Sequence, residues 1–207
     1  ENQFQGVYIN HDANRRGPVS TSNSSRNENE AKVYSKTFTG NYFLDGQISF
    51  KRTENNYYGR PEAEFAVPNI KDLEIAYNKF NYSGSISNSK KDVKWDYIAT
   101  SGLTYLTNNY TSKEWIWDSK LQGILRVTDN FSAYLTGEMN MSENTFAFVN
   151  NRRELYRVKP TFLYKNNRLA VTGGLNIVNE KDANISLNKT RLFPLLKVDF
   201  KPTDFLH

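Results

Sequence analysis

The fold is decided by one stretch, Lys120–Met141, which reads KLQGILRVTDNFSAYLTGEMNM. Two segments in which apolar and polar residues alternate meet at the sequence TDN, residues 128–130. Alternation with a period of two indicates β-strands, and a turn that contains Asp and Asn is typical of a β-hairpin. Each arm is about ten residues long, roughly twice the mean strand of a soluble protein. The hairpin therefore needs an environment that suits long strands with one apolar and one polar face.

A lipid bilayer is such an environment. A tilted strand needs about 9–11 residues to cross the hydrocarbon layer. In a membrane barrel the outward side chains meet lipid and the inward ones meet water, so apolar and polar residues alternate. We therefore predict an all-β, antiparallel, up-and-down transmembrane β-barrel. The predicted lipid-facing residues are Leu121, Leu125, Val127, Phe131, Leu135 and Met139, and the predicted lumen-facing residues are Gln122, Arg126, Thr136 and Glu138.

The composition fits a chain that does not build a thick core. Apolar residues make up 38% of the 207 residues, below the roughly 45–50% of soluble domains. Aromatic residues make up 14%, which is high. No run of about 18 apolar residues occurs, so no transmembrane helix is predicted. The net charge of +5 is spread among acids, and we expect no nucleic-acid partner.

The sequence offers few residues for catalysis or metal binding. It contains no cysteine, which excludes disulfides, zinc–thiolate sites and thiol nucleophiles. Its two histidines, His11 and His207, lie at opposite ends of the chain, so no Ser-His-Asp or histidine–carboxylate set can be assembled. We expect no catalytic site, no cofactor, no metal site and no enzymatic activity.

Short and long connections alternate along the predicted strands. Outer-membrane barrels have short periplasmic turns and longer extracellular loops, so this alternation predicts one barrel region over residues 1–207 with all its long loops on one side. The predicted tight turns are 43–46, 88–92, 128–130, 165–167 and 201–204. The predicted long polar loops are 11–30, 59–72, 107–114, 142–154 and 179–190.

Aromatic residues stand where strands enter the predicted long loops. An aromatic girdle at the level of the lipid headgroups predicts this placement, although Tyr and Trp are also simply good strand residues. The girdle candidates are Tyr57, Tyr58, Tyr105, Trp115 and Trp117. In the loop 142–154, Arg152 and Arg153 are candidates for contact with lipopolysaccharide phosphates, and the alternative is a solvated charge pair.

Two prolines and a glycine pair interrupt the strand patterns. Pro160 and Pro194 lie inside predicted strands, where proline cannot donate to the ladder, so we expect them at bulges or near strand ends. Gly173 and Gly174 also lie inside a strand, which favours close packing or a bend over a phosphate-binding loop.

Several segments resemble a known family. FKRTENNYYGRPE (50–62), LYRVKPTFLYKNNRLAVTGGLNIVNE (155–180) and RLFPLLKVDFKPTDFLH (191–207), together with GVYINHD (6–12), are similar to the barrel part of TonB-dependent-receptor-like outer-membrane proteins of Bacteroidota. The resemblance covers most of the chain as a pattern of strand phrases. It implies an outer-membrane barrel that serves transport. No plug-like or TonB-binding segment is recognisable, so the resemblance does not extend to energised import.

Three readings of function follow. The first is transport across the bacterial outer membrane, and the second is a non-enzymatic accessory barrel in a larger outer-membrane complex for protein assembly or secretion. The third is a soluble β-sandwich that serves as a binding module. For the first two we expect outer-membrane lipid, lipopolysaccharide and other outer-membrane proteins or lipoproteins as partners. We also expect the chain to form only a portion of a larger barrel, because a closed barrel pairs its first strand with its last.

Overall fold

The computed structural model describes residues 2–14, 25–56, 74–90, 93–146 and 149–201, and these form a single antiparallel β-sheet. The sheet has ten strands, and their spatial order is their order along the chain. This confirms the predicted all-β, antiparallel, up-and-down topology. The strands are β1 (Asn2–Asn14), β2 (Arg26–Phe38), β3 (Tyr42–Asn56), β4 (Glu74–Asn88), β5 (Trp95–Asn108), β6 (Lys113–Thr128), β7 (Phe131–Phe146), β8 (Val149–Lys165), β9 (Leu169–Asp182) and β10 (Leu187–Phe200).

The sheet has two open edges within the described part of the chain. There, β1 pairs with β2 alone and β10 pairs with β9 alone, so a closing β1–β10 pair is not seen. The described residues form one layer without a second sheet packed against it. Among these residues no helix is long and apolar enough to cross a membrane.

The strands are long because the alternation continues through polar segments. The shortest, β1 and β2, have 13 residues and the longest, β8, has 17, whereas the mean strand has about 5–6. Every strand therefore exceeds the about 9–11 residues that a bilayer crossing requires.

Three of the predicted long loops are wrong, because strand residues occupy most of them. Strand residues occupy 107–108 and 113–114 of the first, 142–146 and 149–154 of the second, and 179–182 and 187–190 of the third. The predicted turn 43–46 is also wrong, since it lies inside β3 and the chain turns at 39–41. The predicted loop 11–30 overlaps the ends of β1 and β2, and its residues 15–24 lie outside the described residues. The whole predicted loop 59–72 and residues 202–204 of the last predicted turn also lie outside the described residues.

The polar segments stay in the sheet because their side chains bind one another across the strands. Arg153 Nε lies 2.9 Å from Asp182 Oδ2, between β8 and β9. The Thr145 hydroxyl lies 3.1 Å from Asn150 Oδ1, between β7 and β8. Polarity in these segments therefore marks paired strand residues that extend beyond the apolar part of the sheet. We call this end of the sheet, with connections 109–112 and 183–186, the loop end, and the opposite end the turn end.

The pairing register gives the sheet two chemically different faces. Residues opposite each other in neighbouring strands point to the same side, so the register assigns every paired residue to a face. One side, the apolar face, carries most of the exposed large hydrophobic side chains. Its members include Val7, Ile9, Val33, Leu44, Ile48, Phe80, Leu121, Leu135, Val158, Phe162, Leu175, Leu192, Leu196 and Phe200.

The other side, the polar face, carries exposed large hydrophobic side chains near both open edges, with Phe193 and Leu195 of β10 at one edge and a phenylalanine cluster at the other. At the turn end of β1–β3, Phe4, Phe38 and Phe43 lie on the polar face. The Phe4 and Phe38 rings are 6.1 Å apart edge to face, and those of Phe38 and Phe43 are 4.7 Å apart. The polar character of this face therefore fades near both open edges.

Pro160 and Pro194 lie inside β8 and β10, not at bulges or near strand ends as predicted, and only the ladder of Pro194 is complete. Pro160 pairs with Leu135 of β7, but the β8–β9 ladder omits the pairs of Lys159 and Pro160. Both omitted pairs would need an N–H at position 160 that donates to the Leu175 carbonyl, and proline has none. Because Leu175 directs its backbone groups to β8, Pro194 opposite it directs its own nitrogen to the open edge of β10. An edge position of this kind is where sheets accept proline.

Candidate functional site

The middle of the polar face carries a continuous row of polar side chains. Each residue of the row lies opposite the next in the neighbouring strand, from β3 to β8. Charged and hydroxyl groups therefore stand side by side across six strands. The row consists of Asp45, Ser85, Thr100, Lys120, Glu138 and Arg157.

A cavity of about 600 Å³ lies on this row. Because β3 and β8 both contribute to it, the sheet curves toward its polar face. Its floor is made of small residues, namely Ser83, Ser85, Thr100 and Gly102. Its volume falls within the about 300–1,000 Å³ of small-molecule sites.

One carboxylate in the cavity is neutralised by two cations. Arg157 Nη1 donates to Glu138 Oε2 at 2.7 Å, and Lys159 Nζ donates to Glu138 Oε1 at 2.9 Å. The three side chains are about one-quarter to one-third exposed. Arg157 Nε is buried and has no partner among the described residues. This group therefore fixes the wall between β7 and β8 and leaves one donor unused.

Other charged groups in the cavity are not paired with an opposite charge. Asp118 accepts a hydrogen bond from the Asn140 amide, and Asp45 accepts one from the Ser85 hydroxyl. Lys120 lies opposite Glu138 but makes no ion pair with any described residue. The cavity thus presents one free ammonium and two carboxylates that are bound by neutral donors.

The four residues predicted to face a lumen share the polar face, but they do not form one cluster. Gln122 lies opposite Thr136, which is buried, and Glu138 is the one of the four that lines the cavity. Arg126 lies at the turn end, where its Nη1 donates to the Val93 carbonyl at 2.8 Å. Whether this face lines a lumen stays a prediction.

Sequence reasoning missed the other charged residues of the cavity. Asp118 and Lys120 are in phase with Gln122 on β6, and this alternation alone would have placed them on the same face. Asp45 was missed because the sequence FLDG around it has the composition of a turn. Arg157 could be found only through the pairing of β7 with β8.

The apolar face carries an aromatic row near its loop end. Tyr105 lies opposite Trp115, and their ring centroids are 4.0 Å apart. Trp117 is on the same face, and its indole Nε1 donates to Ser101 Oγ at 3.1 Å. Ser101 Oγ in turn lies 3.0 Å from Ser119 Oγ, so these polar groups satisfy one another. The other two girdle candidates, Tyr57 and Tyr58, lie outside the described residues.

A second aromatic row, which was not predicted, lies at the turn end of the apolar face. On β5, Trp95 and Tyr97 stand at one end of the face and Tyr105 at the other. Tyr42 on β3 and Tyr164 on β8 extend the new row, and all four of its rings are more than one-third exposed. The sequence signal was available, because alternation on β5 begins at Trp95.

The two arginines predicted to contact lipopolysaccharide from a loop lie in a strand instead. Arg152 and Arg153 lie within β8 and point to opposite faces. Arg153 is paired with Asp182 on the polar face. Arg152 Nη2 lies 2.7 Å from Glu154 Oε1 on the apolar side, and Lys181 lies 3.7 Å from the other oxygen of Glu154. Both arginines are therefore strand residues with acidic partners.

Comparison with protein-family models, with curated proteins and with solved structures finds no match. Within the described residues no group of three His, Cys, Asp or Glu side chains could hold a metal ion.

Proposed function

We propose that this chain forms part of the wall of a transmembrane β-barrel in a bacterial outer membrane, and that its polar face lines a passage for a polar solute. The observation that carries the proposal is the division of one long-stranded sheet into an apolar and a polar face. On this view the apolar face meets lipid and the polar face meets water.

The exposure of the apolar face supports lipid contact. Leu121, Leu135 and Leu196 are 59%, 58% and 76% exposed, respectively, and they belong to a face that is apolar across the sheet. Soluble monomers rarely expose contiguous apolar patches larger than a few hundred Å². Lipid acyl chains would cover this face without a second protein layer. The soluble β-sandwich reading lacks that support, because the described residues form one sheet.

The aromatic rows and the satisfied polar groups support the same assignment. Aromatic girdles flank the apolar band of outer-membrane barrels at both headgroup levels. In hydrocarbon each unsatisfied polar group costs several kcal/mol, and the Trp117–Ser101–Ser119 chain of hydrogen bonds leaves none of these three side chains without a partner. We place the loop end outside the cell, where Lys181 and Arg152 would meet lipopolysaccharide.

Single-cysteine labelling tests the lipid contact, because the chain has no native cysteine. Leu121→Cys and Gln122→Cys place an environment-sensitive fluorophore on opposite faces of the same strand. After reconstitution into vesicles, dibrominated lipid should quench the label at 121 and leave the label at 122 bright. Equal quenching at the two positions would contradict the proposal.

Conductance tests the transport part. A passage lined by the polar face should give stepwise ion currents when the refolded chain is added to a planar bilayer. Heat-denatured chain in the same detergent is the control. Quenching at position 121 without any current would support lipid insertion and reject a passage that this chain forms by itself, which is the outcome expected for the accessory-subunit candidate.

The second candidate is an accessory barrel subunit of a larger outer-membrane complex, and the open edges favour it. In the described residues β1 and β10 each lack one neighbour, and exposed strand edges do not occur in hydrocarbon. Either further strands of the same wall or another outer-membrane protein would have to cover them. Neither candidate includes catalysis, a cofactor or a nucleic-acid partner.

A further inference from the structure

We propose that the central cavity of the polar face binds a small zwitterion, namely a short peptide with free amino and carboxyl termini. This inference deepens the proposed function and rests on it, because a solute reaches the cavity only if the polar face lines a passage. It follows from the unpaired charges of the cavity, from their spacing and from the groups between them.

Lys120 is the group that would receive the peptide carboxylate. It makes no ion pair with any described residue, whereas its neighbour Glu138 is saturated by Arg157 and Lys159. Arg157 also lines the cavity, where its Nη1 is paired with Glu138. An incoming carboxylate would therefore meet a free ammonium beside an arginine.

Asp118 is the group that would receive the peptide ammonium. Its hydrogen-bond donor is the neutral amide of Asn140, so its negative charge is not balanced by a cation. On its other side lies Gly102, which has no side chain to fill the space. Asp45 also lines the cavity, but it lies opposite Lys36 in the register and is the weaker anchor.

The spacing of the two anchors fits a peptide of about two residues. Asp118 and Lys120 are two residues apart on the same face of β6, which corresponds to about 7 Å between their Cα atoms. An extended chain spans about 3.3–3.6 Å per residue. The hydroxyls of Ser83, Ser85 and Thr100 lie in the same cavity and both donate and accept, as peptide N–H and C=O groups require.

A ligand with one kind of charge fits this arrangement less well. A dianion such as succinate would meet Lys120 but also the carboxylates of Asp45 and Asp118. A dication such as putrescine would meet those carboxylates but also Lys120 and Arg157. Like charges brought together lower the affinity, so the cavity selects a ligand that carries both signs.

Calorimetric titration of the refolded full chain in detergent micelles tests the inference with four probes. These are L-alanyl-L-alanine, its N-acetyl form, its C-terminal amide and the form that is blocked at both ends. The free dipeptide should bind most tightly. Blocking one terminus should weaken binding about 5-fold, because the loss of one ion pair costs about 1 kcal/mol. Blocking both termini should weaken binding most. Equal affinity for all four probes, or no binding of any, would overturn the inference.

Variants then assign the anchors. Lys120→Gln should weaken dipeptide binding about 5-fold and leave binding of the C-terminal amide unchanged. Asp118→Asn should weaken dipeptide binding equally and leave binding of the N-acetyl form unchanged. Lys197→Gln and Asp199→Asn are matched controls, because this pair lies on β10 outside the cavity. Controls that weaken binding as much as the anchor variants would overturn the assignment.

The outcome for the site is separable from the outcome for the barrel. Quenching by brominated lipid at position 121 and ion currents report on the barrel, and calorimetry in micelles reports on the site. If the barrel measurements succeed and the probe series shows no preference for the zwitterion, the inference fails alone. If quenching at 121 fails, the proposed function fails whatever the probes do.

Discussion

The β6–β7 and β8–β9 pairs have the same two faces but differ in their backbone ladders. Between β6 and β7 the register is continuous from Lys113 to Arg126 and shifts at Val127, beside the turn. Between β8 and β9 it is broken in the interior, where the pairs of Lys159 and Pro160 are missing. The polarity of the faces does not explain the difference, because both pairs carry apolar residues on one side and polar residues on the other.

The break between β8 and β9 imposes a second constraint on the neighbouring strand. A Cβ at Gly174 would meet the Pro160 carbonyl oxygen and would lie 2.9 Å from Thr161 Cα. The backbone of β8 therefore approaches β9 closely at this point, and only glycine fits. One proline and one glycine together make a local interruption in the sheet, whereas nothing lies within 4 Å of a Cβ added at Gly123 or Gly137 in the β6–β7 pair.

The largest effect should come from placing a charge on the apolar face of the regular pair. Leu121→Arg should lower the free energy of unfolding in lipid vesicles by about 2–4 kcal/mol, the cost of arginine near the midplane of a barrel wall. Gln122→Arg is the matched control on the polar face and should change stability little. Denaturant titration in vesicles measures both, and a neutral Leu121→Arg would contradict lipid contact of this face.

The next effect should come from the close approach in the interrupted pair. Gly174→Ala should destabilise the reconstituted chain by about 1–3 kcal/mol, because the added methyl group overpacks the backbone of β8. Gly173→Ala should be neutral or slightly stabilising, since nothing lies within 4 Å of its added Cβ. Equal effects of the two substitutions would mean that β8 and β9 are not this close.

The sequence was sufficient for the elements that follow from local periodicity. The hairpin turn after Thr128 and the ten strands could be predicted, because alternation survives wherever a strand has two different faces. Strand ends could not be predicted. Residues such as Arg153 and Asn150 are polar in the sequence, and their pairing with Asp182 and Thr145 depends on neighbours in space.

The cavity was less predictable, for a physical reason. Its row joins Asp45 to Arg157 through five successive registers, and an error of one residue in any register moves a strand to the opposite face. Periodicity could place Glu138 on the polar face, but it could not show which side chains stand beside it. The aromatic row at Trp95 was accessible from the sequence, because Trp95 and Tyr97 are in phase with Tyr105 on the same strand.

A smaller effect is expected at the ion-pair group of the cavity, which joins the regular β6–β7 pair to the interrupted β8–β9 pair through β7 and β8. Glu138→Gln removes the charge that Arg157 and Lys159 share and should cost about 1 kcal/mol. Glu180→Gln is the control, since Glu180 lies on the same face without an ion pair to a described residue. Denaturant titration at low and high salt measures both, and a loss that does not shrink in salt would contradict an electrostatic origin.

The smallest change in stability should accompany the largest local change in the ladder. Pro160→Ala supplies an N–H that can donate to the Leu175 carbonyl and restore the two missing pairs between β8 and β9. The new hydrogen bond contributes about 1 kcal/mol, and the loss of proline raises the entropy of the unfolded chain at a cost of about 0.4–1 kcal/mol. The two terms nearly cancel, so the free energy of unfolding should shift by less than about 1 kcal/mol.

Hydrogen exchange separates the terms, because the new amide at position 160 should exchange as slowly as that of Val158, which is paired in the intact part of the same ladder. If that new amide exchanges as fast as one in the 166–168 turn, the two pairs are missing for a reason other than the absent donor.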